Sequence, residues 1–400
     1  MRSPFIENNL VKLTPSELHT LTQTNCLPPL HLRFFDVEAR IAADSAHYLA
    51  LFQAMYHRFQ APPGAPRART LLDFVILTQP TPPLSQSAII VNSQVHLIKP
   101  AQLSDGYVYE TIFHTLIAQV SSHFLIHAGV VAHREQGIIL SADSGHGKTT
   151  LILELVRRGF KFLSDEMAAL GRADRCVYPF PRSLRIRPGT LERVGYGSAG
   201  IGAPVWLNKL ILDIEAIQPG SLGVRAPVSH IVILRDPADP RRLEVDRTER
   251  TLNILVDHVD DALLAALRRI TGINDVQTID EQGYATLTIR AAHPTQLLPQ
   301  IENECHAHST IIYEVSKQPD RRPRFDLPAH LEPITPHQAT LELVRRFQGG
   351  HQSALLQNEF GGSATRLFLE LADLISGAQC YQLFVGPLAQ MANAVCALVE

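Results

Sequence analysis

Residues 141–150, SADSGHGKTT, decide how this 400-residue chain reads. A loop built to cradle phosphates has Gly, four residues of any kind, then Gly-Lys-[Ser/Thr], set between a buried strand and a helix. Ala142 takes the first position here, and Asp143, Ser144, Gly145, His146, Gly147, Lys148 and Thr149 follow in order. Upstream, the apolar run Gly137-Ile138-Ile139-Leu140 has the length of a buried parallel strand. Downstream, residues 150–160 read as a helix with Leu151, Leu153, Leu155 and Val156 apolar, Arg157 and Arg158 in the last turn and Gly159 as the stop.

In such a loop Gly145 and Gly147 let backbone N–H groups turn inward, the helix N-terminus adds partial positive charge, and Lys148 reaches the outer phosphates. The candidate nucleotide-binding residues are therefore Asp143, Ser144, Gly145, His146, Gly147, Lys148, Thr149 and Thr150, with the Thr149 hydroxyl positioned for Mg²⁺. A Gly-rich turn before a surface helix is the plainer alternative.

Two flanking segments weigh against that alternative. Lys161-Phe162-Leu163 reads as a strand that runs into Ser164-Asp165-Glu166, so adjacent carboxylates emerge at the strand edge where α/β folds bind ligands. Residues 125–132 read as one strand carrying His127 and Gly129. Taken alone, His127 would be a core histidine.

The order I-H-A-G-V-V-A, S-A-D-S-G-H-G-K-T-T, R-R-G-F-K-F-L-S-D-E resembles the catalytic core of the HPr serine kinase family, with His127 lying 21 positions before Lys148 and Asp165 lying 17 after it. The resemblance implies an α/β fold, with an HPr kinase/phosphoenolpyruvate carboxykinase-like P-loop core and an N-terminal α+β domain. It implies Lys148 as ligand of the β and γ phosphates, Thr149 as the Mg²⁺ hydroxyl, and Asp165 as the base for the acceptor hydroxyl. His127 would orient or tune Asp165, and Glu166 would assist the metal or the acidic pair. Catalytic Asp165, His127 and Lys148, metal-binding Thr149, Asp165 and Glu166, and the cofactors ATP and Mg²⁺ follow from it. Such chemistry needs mainly positioning and charge neutralisation.

Departures are Ala142 for the first Gly, Thr149 for Ser, Glu166 for the second Asp, and the missing Glu-[Ile/Val]-Arg-Gly signature, for which residues 183–189, SLRIRPG, are no match. They point to the divergent HPr-kinase-related proteins, and away from the reverse phosphorylase activity. Residues 177–184 and 380–388 also look like that group. The specific part of the resemblance covers about residues 108–187.

Composition sets the outer limits. With 45% hydrophobic and 19% charged residues the chain can build substantial cores, and its length suits two or three domains. A net charge of −3 gives no reason to expect nucleic acid. Arg182, Arg185 and Arg187 form a local basic cluster, either facing phosphate or an acidic substrate or lying on a solvated face. Five cysteines without paired spacing suggest a reducing, cytoplasmic setting. No signal peptide or run of about 20 apolar residues is visible, so no membrane partner is expected.

Along the chain, residues 1–107 read as an α+β module with strands at 30–39, 72–77 and 88–98 and a helix at 46–59. Residues 108–400 read as the P-loop domain, with strands at 209–214 and 229–235, a β-α-β insertion at 255–316 after a helix at 259–270, and a linker at 318–336. Asp236 reads as a turn residue before Pro237, with metal or nucleotide contact as the alternative.

Three functions fit. The first is an ATP-dependent kinase acting on a hydroxyl, a serine of a peptide or protein acceptor; a homo-oligomer stays open. The second is a regulatory nucleotide-binding protein without catalysis, and the third is phosphoryl transfer to a small molecule.

Overall fold

The computed structural model describes residues 11–61, 68–82, 84–98, 103–143, 145–200, 202–206, 209–236, 250–281, 284–318, 325–350 and 353–400. Ser144 and residues 319–324 of the expected linker lie outside them. The architecture is mixed α/β, with four sheets among the described residues.

The strand feeding the loop, Gln136–Ser141, is buried after its first residue. It runs parallel to Ala226–Arg235, which runs parallel to Gln379–Phe384. A parallel strand covered on both faces is what its unbroken Ile-Ile-Leu run requires. Gly129–His133 and then Lys161–Ser164 extend the sheet antiparallel on one side. His330–Pro333 closes the other side, so part of the expected linker is a strand.

Ala226–Arg235 is long enough to serve two branches of this sheet. Its first residues pair with Cys176–Tyr178, which leads through Met167–Gly171 to His123–His127. The expected single strand at 125–132 is thus two strands, broken at Ala128 and assigned to different branches. The strand expected at 209–214 does not join this core. Lys209–Leu212 pairs with Leu184–Ile186 and Val205–Trp206 instead, because Leu184, Ile186 and Leu212 cover the helix that follows the loop.

At the N-terminal end, six strands line up in the order Val11–Lys12, Gln94–Ile98, Ser87–Val91, Thr70–Leu77, Val37–Ala43, Leu30–Phe34. The runs expected at 30–39 and 88–98 each fold back as hairpins, at Phe35 and at Asn92-Ser93, all three with positive φ. The helix Asp105–Ala118, capped by the Ser104 side chain, begins before the expected boundary at 107. Its Tyr109, Ile112 and Phe113 join an apolar cluster that contains the N-terminal sheet together with Leu125, Met167, Phe180 and Trp206.

The insertion is larger than a β-α-β unit. Arg250–Val256, Asp261–Arg268, Ile273–Glu281, Tyr284–Ala291, Pro294–Ala307 and Ile312–Gln318 make a β-α-β-β-α-β unit. Counted within that unit the antiparallel strand order is 4-1-3-2, a ferredoxin-like arrangement.

Candidate functional site

The loop does what its glycines allow. Gly145 and Gly147 sit at φ +83° and +80°, a region L side chains avoid. Ala142 is absent from the positive-φ residues and is buried, so glycine is not required at the first position. His146 is buried and its N–H donates to the Asp143 carbonyl at 3.3 Å. Gly147 caps the helix Lys148–Arg157, whose Leu151, Ile152, Leu153, Leu155 and Val156 are all buried. The first-turn N–H groups of Lys148, Thr149 and Thr150 have no acceptor within a helix, which leaves them for an anion.

Both ends of the loop carry an unsatisfied buried atom, Ser141 Oγ and Lys148 Nζ, neither with a hydrogen-bond partner among the described residues. Burial lowers the Lys148 pKa to about 8; Asp165 opposes this, and Arg346 and Arg182 add to it. A buried ammonium without a partner is costly unless something anionic completes it.

The acidic pair sits at a break between the two branches of the nine-stranded sheet. The segments 123–133 and 161–171 run antiparallel along their length, Ser164 opposite Val130 and Met167 opposite His127. Asp165 and Glu166 form the link on one segment and Ala128 the link on the other. The topology therefore sets His127 and Asp165 on facing segments, and the Lys148 charge acts on His127 while the Asp165 charge acts on Lys148. Burial first, then Lys148, Arg346 and Arg182, push His127 down to about 3, so its imidazole is neutral at physiological pH. Asp165 is buried. Gly129 allows the close approach, since a Cβ there would meet Ile152 Cδ1 at 2.2 Å and the Asp165 carbonyl oxygen at 3.4 Å.

Glu166 pairs with Arg182, whose charge also acts on Asp165, Lys148 and His127. Arg182 is buried and donates to the Tyr109 hydroxyl at 3.0 Å, which lies 2.6 Å from the Tyr56 hydroxyl. The expected basic cluster divides accordingly. Arg182 faces the acidic pair, Arg185 lies over the Trp206 ring, 5.0 Å from its centroid, and Arg187 is the residue before a short helix. Asp236 is buried at the end of its strand.

One residue had no sequence signal. Arg346, after the helix Pro336–Val344, donates from Nη2 to Asp143 Oδ1 at 2.7 Å. Its chain position and its Arg345-Arg346 context look like ordinary basic residues at a helix end.

For a nucleotide, Lys148 Nζ, without a hydrogen-bond partner among the described residues, and the helix N-terminus at Gly147 fit the phosphates. For a metal, the described residues contain no group of three or more His, Cys, Asp or Glu able to hold an ion. Thr149 and Asp165 suit an ion carried on phosphate oxygens, because Mg²⁺ commonly takes only one or two protein oxygens there. Among the described residues no helix is long and apolar enough to cross a membrane.

No protein-family model matches the chain, and no curated protein does. The solved structure of the Hpr(Ser) kinase/phosphatase from Coxiella burnetii is similar to it at 17% identity, covering 32% of this chain and 75% of that one, with a TM-score of 0.21. A likeness of that size says nothing about the chemistry of this chain.

Proposed function

We propose that the chain is an ATP- and Mg²⁺-dependent phosphotransferase that moves the γ-phosphate to a hydroxyl, a serine of a peptide or protein. The observation that carries this is the buried Lys148 Nζ without a partner at a glycine-capped helix N-terminus, with the Asp165 charge acting on it. Lys148 and the loop amides hold the phosphates. Thr149 and Asp165 supply protein oxygens to the ion, which would neutralise charge on the phosphates. Asp165 takes the proton of the attacking hydroxyl, and the neutral His127 holds Asp165 in position. Glu166 orients the acidic link through Arg182.

Transfer from γ-labelled ATP to serine peptides and to the protein itself tests it. Lys148→Ala weakens nucleotide binding. Asp165→Asn keeps binding and loses at least about 10²-fold in transfer, the range for a removed general base. His127→Ala loses less than Asp165→Asn. ATP binding with no transfer to any acceptor would leave a nucleotide-binding protein without catalysis, and equal loss of binding in the Lys148 and Asp165 variants would remove Asp165 from the role of base.

A further inference from the structure

Arg346 is fixed to one part of the site by its backbone and to another by its side chain. Its carbonyl accepts from His127 N–H at 2.8 Å, and Gln348 N–H donates to the Leu125 carbonyl at 2.8 Å, with Phe347 bridged to Ile126. Residues 346–348 thereby run as a short extra edge beside His123–His127. The guanidinium points to the loop, with Nη2 at 2.7 Å from Asp143 Oδ1 and Nη1 at 3.5 Å from Glu342 Oε2. Glu342, itself buried, also holds Arg235 at 2.8 Å and Arg345 at 3.1 Å. The Arg346 charge reaches both Lys148 and His127.

Asp143 is a carboxylate inside a loop meant for anions. Left uncovered it would repel a polyphosphate, and the cation that covers it has donors to spare. A guanidinium carries five N–H donors in a planar fork, so it can keep a carboxylate on one edge and take a phosphate oxygen on another.

We propose that Arg346 is a phosphate-binding residue of this site, held ready on Asp143, which together with Lys148 contacts the terminal phosphate of a nucleoside triphosphate and so selects triphosphate over diphosphate. This rests on the nucleotide-binding role proposed for the loop. Its backbone anchor at His127 ties the residue that recognises the terminal phosphate to the strand that carries the positioning histidine.

The test is binding of ATP and of ADP, each with Mg²⁺, to the full chain by calorimetry, for wild type and the variants Arg346→Gln, Arg346→Lys, Asp143→Asn and Lys148→Ala. Arg346→Gln is expected to lose about tenfold or more for ATP, the scale of a charge-assisted hydrogen bond, and to stay within about twofold for ADP. Arg346→Lys falls between, and Asp143→Asn changes the affinity for ATP more than that for ADP. If Arg346 only pins the loop, Arg346→Gln and Asp143→Asn weaken ATP and ADP alike, and the proposal is overturned. Should Arg346→Gln misfold in a thermal melt, the Arg346→Lys ratio of ATP to ADP decides the same point. Loss of both nucleotides in Lys148→Ala, with the ratio unmoved by either Arg346 variant, refutes the proposal and spares the nucleotide site. Wild type that binds neither nucleotide refutes both.

Discussion

Lys148 carries a buried charge with no hydrogen-bond partner among the described residues, and this has a measurable sign. Burial is the main reason its pKa falls from 10.5 to about 8. A base whose folded value lies below its unfolded value binds its proton less well when folded, so the unfolded state holds more protons between those two values. Stability due to Lys148 is therefore lowest below about pH 8 and rises as the pH climbs toward 10.5. Denaturant titrations of the nucleotide-free protein across that window should show the rise as a difference between wild type and Lys148→Met. The uncharged, similarly sized variant should lack it and be at least as stable at pH 7, while binding nucleotide less well. A variant that is less stable at pH 7 would mean that Nζ has a favourable partner after all. His127, pushed by burial from 6.5 down to about 3, stays neutral in the folded protein while the unfolded chain takes up a proton, so its presence makes stability fall as the pH drops below about 6.5.

At the level of elements, the strand, loop and helix around Lys148 were legible because each has a strong local signal: an unbroken apolar run, glycines at the turning points, and 3.6-residue spacing of leucines. Asp165 was legible because it follows a short apolar strand. Other elements lacked such signals. The break at Ala128 is invisible in an apolar run, since it is made by the segment 161–171 that lies opposite. Ile273–Glu281 brings Val276 and the half-buried Ile273 to the unit's apolar core, and its otherwise polar composition reads as loop. Arg346 is brought to Asp143 only by tertiary pairing with the His127 strand. Gly129 lies between these cases, being visible as a glycine in a strand but explained only by Ile152. Because its φ is not positive, the constraint there is space. Gly129→Ala should destabilise by about 1–3 kcal/mol through overpacking. Ile152→Val removes the Cδ1 in the way and should recover part of that loss, so the double variant is more stable than the two single changes added together. Strict additivity in denaturant unfolding would mean that helix and strand separate freely, and the close packing under Asp165 would not be needed.

For the whole molecule, the apolar clusters divide the chain differently from its linear order. The N-terminal sheet and the helix Asp105–Ala118 share one cluster with Leu125, Met167, Ala169, Phe180, Trp206 and Ile211. The chain Tyr56–Tyr109–Arg182–Glu166, buried as far as Arg182, crosses the same boundary and ends at the neighbour of Asp165. The N-terminal region is thus a wall of the site's own core. The ferredoxin-like unit is the opposite case, for its cluster of Leu252, Ile254, Leu263, Leu287, Ile289 and Ile301 contains no described residue from outside 250–318. Two fragments should therefore behave oppositely. Residues 250–318 alone should melt cooperatively and give dispersed amide resonances, though with the few kcal/mol that one core of about 70 residues supplies. Residues 11–118 alone should bind a hydrophobic dye and melt without a sharp transition, because Leu125, Met167, Phe180 and Trp206 no longer cover their core. A cooperative, dye-free melt of 11–118 would show that the shared cluster is dispensable to it. The N-terminal region would then be a separable module, and Arg182 would join two independent bodies and no longer brace one.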